Sequence, residues 1–213
     1  MDLYDRNNVY APNRDFVKKE LYEDEALRLE VSKLKFRFMT DAQALLHGDL
    51  HTGSIFIRQD STKIFDCEFG TYAPMGYDVG NVVANLIFAY DNGLSTDDGP
   101  FCDWCLNTIE ETVDLFIEKF SRKYDEAVTE PMAKVKGFKE WYFGGILKDT
   151  AGYAGTELHR RTVGMANVVD VTAIQDKTKR LLAERINILA GKEYIMNQGA
   201  FRTGADYVAA VLR

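Results

Sequence analysis

Three carboxylates near the middle of the chain have the types and spacing for phosphoryl transfer. In Leu45-Leu46-His47-Gly48-Asp49 an apolar segment is broken by a glycine free to take positive φ beside an acid, which places Asp49 at a loop tip. Asp66 and Glu68 follow the run Thr62-Lys63-Ile64-Phe65, and at positions i and i+2 off a strand end both can reach one hard cation. Mg²⁺ takes one or two carboxylates and fills its shell with water and phosphate oxygens. A carboxylate near such a cation stays ionised at neutral pH and can accept a hydroxyl proton. One acid for the nucleophile and two for a nucleotide-bound metal make a phosphotransfer set.

Each of these residues also has a plainer reading. Asp49 can be a turn former after Gly48, Asp66 and Glu68 exposed acids at a hairpin end, and His47 and His51 hydrogen-bonded structural histidines. The joint occurrence of the three acids carries the functional reading.

The elements that must position them are mostly helical. Ser54–Ile57 and Thr62–Phe65 are β-branched and aromatic runs around the polar Arg58–Ser61, which predicts a hairpin. Upstream, residues 1–20 read as an irregular arm, and Leu27, Val31, Leu34 and Phe38 form one helical stripe. Downstream, Asp78 opens a helix stopped by Asn92-Gly93, where it can serve as a cap; residues 91–100 read as a loop. Phe101 to Tyr124 form a helix with Trp104, Ile109, Val113, Phe116, Ile117 and Phe120 inward. A further helical stretch holds Val135 to Leu147, and the small-residue segment Lys148–Gly155 leads into Arg160-Arg161. Ile174–Ile195 is a charged helix with Leu181, Leu182, Ile186 and Leu189 inside, and residues 199–213 are a short, frayed one. The fold class is therefore α+β, mostly α-helical, with a small central β-hairpin carrying the chemical loops.

Composition limits the partners. With 213 residues, 46% hydrophobic and 28% charged, the chain holds one good core, and a net charge of −7 argues against nucleic acid or a membrane surface, leaving a small molecule. Cys102 and Cys105 lack a second pair to close a zinc site, so with Cys67 they read as reduced buried thiols. With no apolar stretch near 18 residues and no charged-then-apolar N-terminus, the expected location is cytoplasmic.

The segments His47-Gly48-Asp49-Leu50-His51-Thr52-Gly53-Ser54 and Asp66-Cys67-Glu68 resemble the catalytic and metal-binding loops of kinases of the aminoglycoside-phosphotransferase type, relatives of the protein kinases. Two departures offset each other: Ser54 stands where such kinases have Asn, and Glu68 where the protein-kinase motif has Gly. Ala73-Pro74-Met75-Gly76-Tyr77-Asp78 and Leu158-His159-Arg160-Arg161-Thr162-Val163-Gly164 extend the resemblance to the S-methyl-5-thioribose kinase family, sugar kinases of methionine salvage, over about residues 20 to 190. Cys67 replaces the proline usual in that family's Asp-x-Glu.

The resemblance implies the C-terminal lobe of a protein-kinase-like fold over residues 1–213, without an N-terminal β-rich lobe. Residues 44–78 would carry the catalytic and metal loops and residues 101–195 a substrate-side helical bundle. It further implies ATP and Mg²⁺ as cofactors, Asp49 as catalytic base in contact with substrate, Asp66 and Glu68 as metal ligands, Arg160 with Arg161 on the sugar, and, as the alternative to a cap, Asp78 as an anchor for the backbone of the Asp49 loop. No glycine-rich phosphate loop with its lysine precedes His47, so the chain alone is expected to be weakly active or inactive. Three readings stay beside it: a kinase of another small alcohol such as an aminoglycoside, choline or homoserine; a noncatalytic kinase-like fragment; and a metal phosphohydrolase, which would want more histidines than His47, His51 and His159. A homodimer stays open.

Overall fold

In the computed structural model, residues 6–213 are described. The elements run α1 (Arg14–Val17), α2 (Glu25–Thr40), β1 (Ala44–Leu46), β2 (Ile55–Arg58), β3 (Ser61–Ile64), β4 (Thr71–Ala73), α3 (Gly76–Ser95), α4 (Gly99–Ala127), α5 (Phe138–Val163), α6 (Val169–Thr172), α7 (Lys177–Met196) and α8 (Gly204–Val211). The β2–β3 hairpin forms where its composition predicts it, in register from Ile55↔Ile64 to Arg58↔Ser61. A second antiparallel pair, not foreseen because its strands are 3 residues long, joins β1 to β4 through Ala44↔Ala73, Leu45↔Tyr72 and Leu46↔Thr71. The result is mostly helical with two small antiparallel sheets.

The main core lies among α3, α4, α5, α7 and α8, with Ile87, Phe88, Ile109, Leu158, Tyr194 and Tyr207 almost fully buried. Glycines set how closely these helices approach. A Cβ at Gly80 would stand 2.7 Å from both the Ala154 nitrogen and the Thr150 oxygen, and one at Gly155 would stand 2.5 Å from the Gly191 oxygen. A second cluster, Val17, Leu21, Leu27, Leu34, Tyr153 and Ile188 among them, seats α2 and the N-terminal turns against α5 and α7. Between α2 and α5, Arg37 grips the buried Asp149 with both Nη atoms, at 2.5 and 2.8 Å. Burial nevertheless pushes the Asp149 carboxyl up to about 6, the guanidinium drawing it the other way.

Several expectations are corrected. The arm expected as irregular over residues 1–20 is helical from Ala11 onward, with residues 1–5 outside the described range. Asn92-Gly93 does not stop α3, because Gly93 serves helix packing: a Cβ there would lie 2.9 Å from Cys102 Sγ. Residues 148–155 are the interior of α5, their small side chains admitting α3 and α7. On α7 Leu182 and Leu189 are half-exposed, while Ala183, Asn187, Ile188, Gly191 and Tyr194 face inward. Trp104 lies exposed, stacked on Phe101, and its place inside α4 is taken by Cys102 and Cys105, both free and buried. Cys67, expected as a buried thiol, is exposed. The C-terminal stretch is not frayed: α8 has a capping box at Thr203 and Asp206 and buries Tyr207. Among the described residues no helix is long and apolar enough to cross a membrane.

Candidate active site

The β1–β4 ladder brings two loops to one end, because the chain leaves β1 as His47-Gly48-Asp49 and returns to β4 through Asp66 to Gly70. Gly48 has φ +88°, and a Cβ on it would stand 2.1 Å from the Phe69 carbonyl oxygen, so both its conformation and its surroundings require glycine. His47 Nδ1 accepts the Asp49 N–H at 3.3 Å, which leaves the ring proton on Nε2 to donate to the Phe65 carbonyl at 2.7 Å. The segment bearing Asp66 and Glu68 is thus pinned at Phe65 and Phe69 against the segment bearing Asp49. His47 is a structural histidine.

Asp78 stands in the first turn of α3, whose N-cap is Met75. Its carboxylate accepts from His47 N–H at 2.7 Å and Gly48 N–H at 3.1 Å. Of cap and anchor, it is the anchor. Burial raises its pKa against the pull of those two donors.

Asp49 is three-quarters buried, and its Oδ1 accepts from Arg160 Nη2 at 3.4 Å and Arg161 Nη2 at 3.2 Å. Its Oδ2 has no partner among the described residues. Both arginines lie in the last turn of α5, whose end faces the loop, so neighbours about 100° apart on a helix converge on one oxygen. Glu157, one turn earlier, accepts from Arg160 Nε at 2.7 Å and Arg161 Nε at 2.9 Å. It was not foreseen; the signal was its spacing of three and four before the pair.

Asp66 has φ +67°, a conformation that a short polar side chain tolerates, and is exposed. Glu68 is exposed too, and neither carboxylate makes a hydrogen bond or ion pair among the described residues. Among those residues no group of three His, Cys, Asp or Glu side chains could hold a metal ion. Asp49 therefore does not join Asp66 and Glu68 in one cage. Two unspent carboxylates two positions apart in sequence are still a donor set of hard oxygens that fits Mg²⁺ completing its shell from water and phosphate. Ser54 is buried and shares a 3.2 Å hydrogen bond with His51 Nε2.

A cavity of about 710 Å³ lies behind the arginine pair, lined by Leu27, Val31, Thr156, His159, Arg160 and Val163 among others, but not by Asp49, Asp66 or Glu68. At its wall His159 donates to the Ile188 carbonyl at 2.9 Å, and burial pushes its pKa down to about 4, so the ring is neutral.

Residues 5–100 match the phosphotransferase enzyme family. Methylthioribose kinases of Bacillus cereus strain B4264, Bacillus thuringiensis strain Al Hakam and Bacillus anthracis strain CDC 684 are each 38% identical to the chain over 192 residues. That is 90% of this chain and 48% of theirs, so the chain spans about half the length of the curated relatives it matches.

Proposed function

From a chain that carries the phosphotransferase-family pattern over residues 5–100 and is methylthioribose kinase-like along 90% of its length, we propose a kinase-like C-terminal lobe acting in ATP-dependent phosphorylation of methylthioribose, a step of methionine salvage. The observation that carries this reading is the state of Asp49: one carboxylate oxygen is held by two guanidinium groups and the other has no partner among the described residues. An oxygen so placed can accept the proton of a sugar hydroxyl, here the 1-hydroxyl, as it attacks a phosphoryl group.

Arg160 and Arg161 would donate to the remaining sugar hydroxyls and offset charge that develops on the transferred group. Asp66 and Glu68 would hold Mg²⁺. When bound, that ion neutralises the phosphate oxygens of ATP. Gly48, His47 and Asp78 keep the two loops in register and touch no substrate. Because no glycine-rich phosphate loop or phosphate-pairing lysine precedes His47, the contacts to ATP within these residues are few, and the chain alone binds the nucleotide weakly and turns over slowly.

The test is methylthioribose-dependent ADP release by the purified chain, alongside titration calorimetry with methylthioribose and with Mg-ATP. Slow turnover that falls in Asp49→Asn by roughly a hundred- to ten-thousand-fold, with unchanged circular dichroism, is the expected result. A well-folded chain that binds neither ligand is a noncatalytic fragment.

A further inference from the structure

We propose that Glu157 is a positioning residue: its buried carboxylate is the splint that holds both guanidinium groups with their Nη2 atoms on Asp49. The ligand side of this inference rests on the reading of Asp49 above; its structural side does not.

An arginine has a long, flexible side chain, and two adjacent ones on a helix diverge. Convergence on a single oxygen therefore needs a second fixed point. Glu157 supplies it from three and four residues back, where helical neighbours meet. Its Oε2 accepts from Arg160 Nε at 2.7 Å and forms an ion pair with Arg160 Nη2 at 2.6 Å, and its Oε1 accepts from Arg161 Nε at 2.9 Å. The Glu157 side chain is 3% exposed and that of Asp49 is 25% exposed. The short bonds thus lie on the buried acid and the long ones, 3.2 and 3.4 Å, on the acid that faces solvent.

This asymmetry divides the work. The Nε edges are hydrogen-bonded to Glu157, and Arg160 Nη2 is held against the same acid in a close ion pair; Arg161 Nη2, engaged among the described residues by the 3.2 Å bond to Asp49, is the end left free to pass to an incoming hydroxyl. It also fixes the charge of the site. Two guanidinium groups face two carboxylates, a locally neutral set that admits an uncharged polyol without favouring an anion. With Glu157 neutralised, the same place carries one net positive charge and favours phosphate.

The experiment compares the full chain with Glu157→Gln, which keeps the side chain's shape but has one acceptor oxygen in place of two. The readout is ¹⁵N NMR of the arginine Nε–H groups, assigned through Arg160→Lys and Arg161→Lys, with inorganic phosphate as a probe anion. In the natural chain both Nε–H groups exchange slowly. In Glu157→Gln, with the thermal transition retained, at least one exchanges ten or more times faster and phosphate binds at least tenfold more tightly. Unchanged exchange at both arginines overturns the proposal. If Gln at 157 prevents folding, Glu157→Asp replaces it; the shorter acid spans only one guanidinium, and the same gain in exchange at one arginine is required. A natural chain with both Nε–H groups protected but no affinity for methylthioribose removes the sugar-kinase reading and leaves the splint standing.

Discussion

Where α3 meets α5, the backbones approach so closely that a single carbon on Gly80 would strike two main-chain atoms, whereas residues 62–70 are exposed without exception. Leu45, Phe56, Ile57, Ile64, Phe69 and Tyr72 all show more than half their surface to solvent around the chemical loops. The helices are held by packing, which is cooperative and unforgiving of volume. The loops are held by a few directed polar bonds: Asp78 to two backbone N–H groups, two arginines to Asp49, and three residue pairs of β1–β4. Bonds of that kind add only about 0.5–1.5 kcal/mol each to stability, yet they fix direction. In this molecule the bundle supplies stability and lends its rigidity to the loops through those ties.

Mutations that touch one side of this division at a time test it. The largest effect is expected for Gly80→Val, which drives side-chain carbon into the α5 backbone and should cost about 3 kcal/mol or more in a urea titration. A variant as stable as the natural chain would mean that α3 and α5 separate freely, and the contrast would fail. Asp78→Ala leaves two backbone donors without their acceptor, at about 1–3 kcal/mol. Amide exchange should accelerate at His47, Gly48 and Asp49 and stay slow in the middle of α3; equal acceleration in both would show that Asp78 serves the helix. The smallest change is expected for Ile57→Thr, on a residue 75% exposed, within about 0.5 kcal/mol of the natural chain. A larger loss would sharpen the picture by showing that the hairpin face is covered in solution.

Patterns that depend on local order were readable in advance. The β2–β3 hairpin followed from two β-branched and aromatic runs around a polar turn, and the α2 stripe from the spacing of Leu27 and Leu34, both buried. What misled were small residues. The leucine pattern points Leu182 and Leu189 into the inside of α7, but the contact with α5 is made where Gly191 and Gly155 let two backbones meet. Asn92-Gly93 has the composition of a stop, and only the position of Cys102 shows that the glycine is there to admit a neighbouring helix. At the site, Asp78 was legible as one of two alternatives, and its bonds to His47 and Gly48 decide between them. Glu157 was not legible, because an acid three or four places before an arginine is the ordinary pattern of a solvated helix face. Its meaning lies in burial, which a one-dimensional pattern does not carry.

The spacer between the two chemical loops is a hydrogen atom. At Gly48 the α-hydrogen occupies the room that any other residue would give to carbon, and the Phe69 carbonyl closes down upon it. A methyl group introduced there would act as a wedge driven between the Asp49 loop and the Asp66–Glu68 loop, which in the function proposed above take up the proton and grip the phosphate. Since a misplacement of about 1 Å costs in the region of a hundredfold in rate, on that proposal the position with no functional group at all would govern the chemistry as tightly as the acids on either side of it.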